Sequence, residues 1–89
     1  PPDEPVRAVT TTIAAIRAEF GLAGGFSIVW IERGFVSRWV ATLGIVQGTH
    51  PSSVDLALHE LLRSLRIDRD RRKVRIQANA GIGDDRSRD

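Results

Sequence analysis

The sequence predicts an α+β domain in which a small, mainly antiparallel sheet packs against one long helix. Two observations carry this prediction. Residues 26–46 alternate between the two faces of a strand on either side of a glycine-containing turn, as a β-hairpin does. Residues 53–66 repeat apolar side chains at the spacing of an amphipathic helix. A further alternating stretch, 74–79, predicts a last strand after the helix.

Composition limits the chain to one small domain. It has 89 residues, 42% of them apolar, which is enough for one modest core. The absence of cysteine excludes disulfides and thiolate metal sites. No apolar run is long enough to span a membrane and no signal-peptide pattern opens the chain, so the sequence predicts a cytoplasmic protein without membrane contact. We expect no cofactor.

The first segments are an arm and an ambiguous stretch. Residues 1–5 hold three prolines and predict a loose N-terminal arm. Residues 6–22 begin with β-branched side chains that suit a strand. The same residues carry one apolar face of a helix that ends before Gly21, and this local pattern favours the helix. The helical face consists of Val9, Ile13, Ile16 and Phe20.

The first hairpin strand is apolar on both of its faces. Phe26, Ile28 and Trp30 alternate with Ser27, Val29 and Ile31. A turn at 32–34 then leads to a second strand over 36–46, where Gly44 marks a bulge or a strand end. One or two helices do not easily cover both faces of a small sheet. This predicts self-association or a protein partner on the remaining face.

The second half of the chain predicts a loop, a capped helix, a turn and a strand. Residues 47–53 predict a loop in which Ser52 or Ser53 caps the following helix, with Asp55 in its first turn. A charged turn at 69–73 separates that helix from the last strand. The single domain covers 6–80, and 81–89 predicts a disordered polar tail. The helix buries Val54, Leu58, Leu61, Leu62 and Leu65.

Basic residues are concentrated near the predicted turn. The net charge is only +2, but six basic residues and two acidic ones lie between Arg66 and Arg75. Arginines and an aromatic side chain predict contact with phosphates and bases. The alternative is a solvated turn in which Asp68 and Asp70 pair with neighbouring arginines. The candidate nucleic-acid residues are Arg38, Trp39, Arg69, Arg71, Arg72, Lys73 and Arg75.

The sequence assigns no catalytic residue and no metal site. His50 and His59 are the only general-base candidates near neutral pH. Ser52 and Ser53 lie close to His50 in the sequence, but helix capping is a simpler role for these serines than a catalytic pair with the histidine. Asp55 and Glu60 are five residues apart on a helix and therefore do not share one face. An enzyme is accordingly the less favoured class.

Three stretches resemble segments of ribonuclease H-like domains. Gly24-Gly25-Phe26-Ser27-Ile28-Val29 resembles the family's glycine-rich entry to its second strand. The stretch 49–58 is similar to its helix-entry loop, and Ile76-Gln77-Ala78-Asn79-Ala80 to the end of its fourth strand. The resemblance implies metal-dependent nuclease activity. However, the family's acidic positions fall on Thr11, Asp55 and Asn79, so it also implies an inactive copy.

A second resemblance is to HicB-type antitoxins. Gly48-Thr49 followed by Ala57-Leu58 is similar to their loop and helix. That family acts by binding a partner. The sequence as a whole therefore predicts a non-catalytic binding domain that acts through self-association or a protein partner, with nucleic acid as a further ligand of the arginine cluster. The alternative is a ribonuclease H-type nuclease with a degraded site, in which Asp55 remains as metal ligand.

Overall fold

A computed structural model describes the backbone of residues 6–88 and the side chains of residues 8–78. The elements follow the order helix, three strands, helix, and the strands form one antiparallel sheet. The predicted α+β class, with one long helix packed on an antiparallel sheet, is confirmed. The predicted arm, 1–5, lies outside the described residues. The elements are α1 (Val6–Phe20), β1 (Phe26–Arg33), β2 (Val36–Leu43), β3 (Val46–His50) and α2 (Val54–Arg88).

The ambiguous first segment is a helix, as its apolar periodicity indicates. Ile16 is fully buried, and Val9, Ile13 and Phe20 pack against the core. Gly21 has a φ of 75° and donates its backbone N–H to the Arg17 carbonyl at 2.9 Å, which ends the helix. The strand alternative for this segment is wrong because its apolar side chains follow a helical and not a two-residue repeat.

Two hairpins with identical loop lengths build the sheet. Gly34-Phe35 joins β1 to β2, and Gly44-Ile45 joins β2 to β3. Both glycines have a positive φ, 58° and 64°, as the first central residue of a type II′ turn does. The predicted first hairpin is confirmed, although residues 32 and 33 of its predicted turn belong to β1. The predicted strand 36–46 ends earlier, at Leu43, and residues 47–50 of the predicted loop belong to β3.

The sheet has an inner face towards the helices and an outer face towards solvent. Phe26, Ile28 and Trp39 pack against the core from the inner face. Val40 alternates to the outer face, where it is 4% exposed but does not belong to the core cluster. The outer face consists of Ser27, Val29, Ile31, Arg33, Val36, Arg38, Val40, Thr42, Gln47 and Thr49.

Helix α2 is much longer than the sequence predicts. The predicted helix 53–66 is confirmed from Val54 onward, but the charged turn 69–73 and the strand 74–79 are wrong, because the helix continues through them. Arginine, lysine, alanine and glutamine favour a helix, and no glycine or proline interrupts residues 54–80. A strand would need a neighbouring edge for its hydrogen bonds, whereas a helix satisfies them locally. The backbone of 81–88 is also helical, and disorder of 81–89 in solution stays a prediction.

The first half of α2 forms the core against the sheet and α1. It contacts β3 and β2, and α1 packs beside it. Gly48 of β3 meets the helix backbone directly: a Cβ there would lie 2.2 Å from the Leu61 nitrogen and 2.3 Å from the Ala57 oxygen. The second half of α2 extends beyond the sheet, and residues 70–78 are all exposed. The extents of the molecule, 61 × 31 × 18 Å, reflect this projection.

Candidate protein-binding groove

The structure divides the predicted nucleic-acid residues between two ends of the sheet. Arg38 is exposed on the outer face. Trp39 is half-buried on the inner face, with its ring 5.2 Å from that of Trp30, and it pairs with His50 next to the start of α2. The other five lie on α2 about four turns further along, beyond the opposite end of β2. Trp39 therefore does not provide a stacking surface next to the helical arginines.

Some of the helical basic residues are already engaged. Glu19 of α1 accepts hydrogen bonds from Arg66, the shortest of 2.8 Å, and from Arg69 at 2.8 Å. Arg72 lies 3.0 Å from Asp68. Within the part of the chain with described side chains, no ion pair involves Arg71, Lys73 or Arg75. These three cations therefore face solvent on the projecting helix.

The Glu19 ion pair links the two helices and gives the domain a pH dependence. Its hydrogen bond from Arg66, followed by that from Arg69, holds the pKa of Glu19 below its ordinary value of 4.5 and outweighs the opposing effect of burial. A carboxyl whose pKa is lowered by folding stabilises the folded state at pH values above its unfolded-state pKa. This contribution is lost as the pH falls through the folded-state pKa.

We therefore expect Glu19→Gln to lower the melting temperature near neutral pH. The difference from the wild type should shrink below about pH 4.5, where protonation removes the same charge from the wild type. Melting curves across pH for both proteins measure it. Glu60→Gln is the matched control, because among the described side chains Glu60 pairs only with Arg63 of its own helix, at 3.0 Å. A Glu19→Gln difference that persists unchanged into acid would contradict this assignment.

A groove lies where α2 leaves the sheet. It has a volume of about 690 Å³ and lies between the end of α1, the β2–β3 turn and the projecting helix. Its floor is apolar, and Asp68, Arg69, Arg72 and Lys73 line it from the helix. We call it the basic groove. Its apolar lining consists of Phe20, Leu43, Ile45, Val46, Leu65 and Ile76.

Two large aliphatic side chains of the basic groove face water. Ile45 is 89% exposed and Ile76 is 67% exposed, although both line the same concave surface. Ile76 lies eleven residues, three helical turns, after Leu65, so it continues the core-facing stripe of α2 beyond the end of the sheet. Exposed aliphatic side chains that share a rimmed groove are typical of a binding site for another chain.

The sequence did not predict the basic groove, although it contains two signals for it. The predicted strand 36–46 placed Ile45 inside a strand, whereas a turn at Gly44 would have placed it at an exposed loop tip. The predicted strand 74–79 likewise concealed that Ile76 shares a helical stripe with Leu65. Glu19, which joins α1 to two of the arginines, carries no local sequence signal.

His50 and the two serines after it form a helix cap. Nδ1 of His50 accepts the backbone N–H of Ser52 at 3.1 Å and of Ser53 at 2.9 Å. Ser53 Oγ accepts the Leu56 N–H at 3.0 Å, which confirms the predicted capping role for Ser53. Because two amides occupy Nδ1, that nitrogen cannot also take a proton from Ser52, whose Oγ is 3.4 Å away.

Asp55 joins α1 to the start of α2. Its Oδ1 accepts a short hydrogen bond from the hydroxyl of Thr12, a buried residue, and its Oδ2 lies 3.2 Å from His59 Nε2. The carboxylate stands between the hydroxyl and the imidazole. A nucleophile and its base need the reverse order, with the imidazole in the middle. The cluster therefore fixes the helices and does not assemble a nucleophile.

Two of the three family-derived acidic positions are far apart. Asp55 and Asn79 both lie on α2, and 24 residues of helix separate them by about 36 Å. Thr11 lies on α1 and is exposed. No group of three or more histidine, aspartate or glutamate side chains that could hold a metal ion occurs among the described residues. The ribonuclease H-type alternative gains no support from this arrangement.

Comparisons with known proteins do not point to a function, so a function is assigned from the geometry of the groove alone. No family model, no curated protein and no solved structure matches this chain. Over the region that the structure describes, neither helix combines the length and the apolar character that crossing a bilayer requires.

Proposed function

We propose that this chain is a non-catalytic binding domain that holds a segment of a protein partner in the basic groove. The observation that carries the proposal is the pair Ile45 and Ile76, two exposed aliphatic side chains on one concave surface. A segment that inserts two apolar side chains would remove both from water. Burying most of an isoleucine is worth about 1.5–3 kcal/mol.

Charge defines the partner further. Six basic and two acidic residues lie between Arg66 and Arg75. Arg69, Arg72 and Lys73 line the groove itself, and Lys73 has no ion pair among the described side chains. An acidic segment is attracted to this rim and a basic one is repelled. The partner of best fit is therefore a segment with two apolar side chains flanked by aspartate or glutamate.

The exposed cations of the projecting helix make nucleic acid a second candidate. Arg71, Lys73 and Arg75 lie in the stretch 70–78 of α2, in which every residue is exposed. Phosphate contacts by such residues need no apolar groove. The two candidates therefore differ in whether Ile45 and Ile76 take part.

The test uses peptides selected from a random displayed library on the full chain. We expect the selected peptides to be acidic and to carry two apolar residues. Ile45→Asp or Ile76→Asp should weaken the binding of these peptides at least about tenfold, which is about 1.4 kcal/mol. Phe35→Asp and Val74→Asp are matched controls. Phe35 occupies the same turn position as Ile45 in the other hairpin and is fully exposed, and Val74 is 65% exposed on another side of α2.

Four outcomes would contradict a protein segment in the basic groove. One is the absence of any selected peptide, and another is equal binding by the groove variants and the controls. The other two come from a labelled RNA–DNA hybrid. If the groove variants still bind the hybrid and the double variant Arg71→Ala/Arg72→Ala does not, nucleic acid is favoured as the ligand. If the hybrid is cleaved in the presence of Mn²⁺ and Asp55→Asn abolishes the cleavage, the nuclease alternative is favoured.

A further inference from the structure

β1 is a long edge strand with one unpaired side. The strand order places β1 at the edge of the sheet, joined only to β2. In a two-residue hairpin the residue pair next to the loop, here Arg33 and Val36, is hydrogen-bonded across the two strands. Hydrogen-bonded pairs then alternate with non-hydrogen-bonded pairs along β1 and β2. The backbone groups of the intervening residues therefore point away from β2. These residues are Phe26, Ile28, Trp30 and Glu32.

Apart from the charges of Glu32 and Arg33 at its end, this edge lacks the features that usually prevent strands from pairing. Its eight residues contain no lysine, proline or glycine, and their register with β2 is continuous, without a bulge. The opposite edge strand, β3, is only five residues long and lies under α2. Among the described residues, no backbone hydrogen bond closes the free side of β1. The edge is therefore open for another strand.

The middle of β1 suits a second copy of this chain. Ile28, Val29, Trp30 and Ile31 are apolar, and Val29 is 44% exposed on the outer face. In an antiparallel pair, residues opposite each other point to the same face. A two-fold axis therefore places Val29 opposite Val29 or Ile31 of the second copy. No like charges meet there, whereas two copies of the basic segment of α2 would repel each other.

We propose that two copies of this chain associate through antiparallel pairing of β1, which joins their sheets into one six-stranded sheet. The inference rests on the sheet edge and is independent of the basic groove, which lies where α2 leaves the sheet. Pairing of one strand buries less surface than a standard interface. We therefore expect a dimer that dissociates in roughly the micromolar range.

The experiment is sedimentation velocity of the full chain from about 1 μM to about 1 mM. The wild type should change from monomer to dimer over this range. Glu32→Pro removes one N–H from the free side of β1 without touching the ladder to β2, and should weaken the dimer at least about tenfold. Glu32→Ala is its control, because it also removes the carboxylate that accepts the Trp30 Nε1 hydrogen bond at 2.8 Å.

A second pair of variants separates edge pairing from stacking of the outer faces. Val29→Lys should place two lysines close together at the two-fold axis and dissociate the dimer. Val36→Lys makes the same change on the same face but on the central strand, and should leave the dimer intact. Circular dichroism checks that each variant is folded. Any of three results would overturn the proposal. The chain could be monomeric at every concentration, the dimer could survive both Glu32→Pro and Val29→Lys, or Val36→Lys could dissociate it as well.

Discussion

Replacing Gly48 by alanine should destabilise the domain by about 3 kcal/mol or more. A Cβ at this position would lie 2.2 Å from the Leu61 nitrogen, 2.3 Å from the Ala57 oxygen and 2.7 Å from the Leu61 Cα. All three are backbone atoms, so no side chain can rotate away to make room. The helix would have to move off β3, and every other core contact of that helix would loosen with it.

The size of this effect is large for so small a protein. A domain of this length has a total stability near the low end of about 5–15 kcal/mol. Gly48→Ala should therefore leave a substantial unfolded population even without denaturant. Urea denaturation followed by circular dichroism at 222 nm measures it.

The neighbouring residue supplies the control. Gln47 is exposed on the outer face of β3, so Gln47→Ala should change the stability by no more than about 0.5 kcal/mol. If Gly48→Ala unfolded at the same urea concentration as the wild type, the close contact between β3 and α2 would not exist in solution.

The elements that the sequence predicted are those with a simple period. Ile13 and Ile16 mark α1, and Leu58 and Leu61 mark α2, because a buried helical face repeats every three or four residues. The hairpin of β1 and β2 was predictable for the same reason, from its two-residue alternation and the glycine at its turn. Each of these signals is local, and local patterns need no knowledge of the rest of the fold.

β3 was missed because its packing contradicts the usual strand pattern. Between Val46 and His50 it contains glutamine, glycine and threonine, with Gly48 at the buried inner position where a strand normally carries a large apolar residue. That glycine is required by α2, which lies far away in sequence. Tertiary contact, and not strand propensity, therefore determines this element.

The end of α2 was mistaken for a strand because its few apolar residues permit both periods. Val74, Ile76 and Ala78 alternate as a strand does, but they also belong to a helix rich in arginine. The basic groove depended on this distinction. Ile76 lines the same groove as Ile45 only when residue 76 is helical, and Ile45 is exposed only when Gly44 forms a turn. Two wrongly predicted elements therefore concealed one site.

Leu61→Ala should produce the second large loss of stability, about 2–5 kcal/mol. Leu61 is fully buried in the core, and its removal leaves a cavity that the surrounding backbone cannot fill. Unlike Gly48→Ala, this change leaves the backbone contact between β3 and α2 intact. The two variants therefore probe the same interface by opposite means, one by crowding it and the other by emptying it.

Leu56→Ala is the matched control for this cavity, since it makes the same substitution five residues earlier on the same helix. Leu56 is 49% exposed, so its loss should cost less than about 1 kcal/mol. Equal urea midpoints for the two leucine variants would contradict the orientation of α2, because that orientation alone makes Leu61 a core residue and Leu56 a surface one. The same orientation places Ile76 in the basic groove and Val74 outside it. A large difference between the leucines would therefore support the helical face on which the proposed binding site depends.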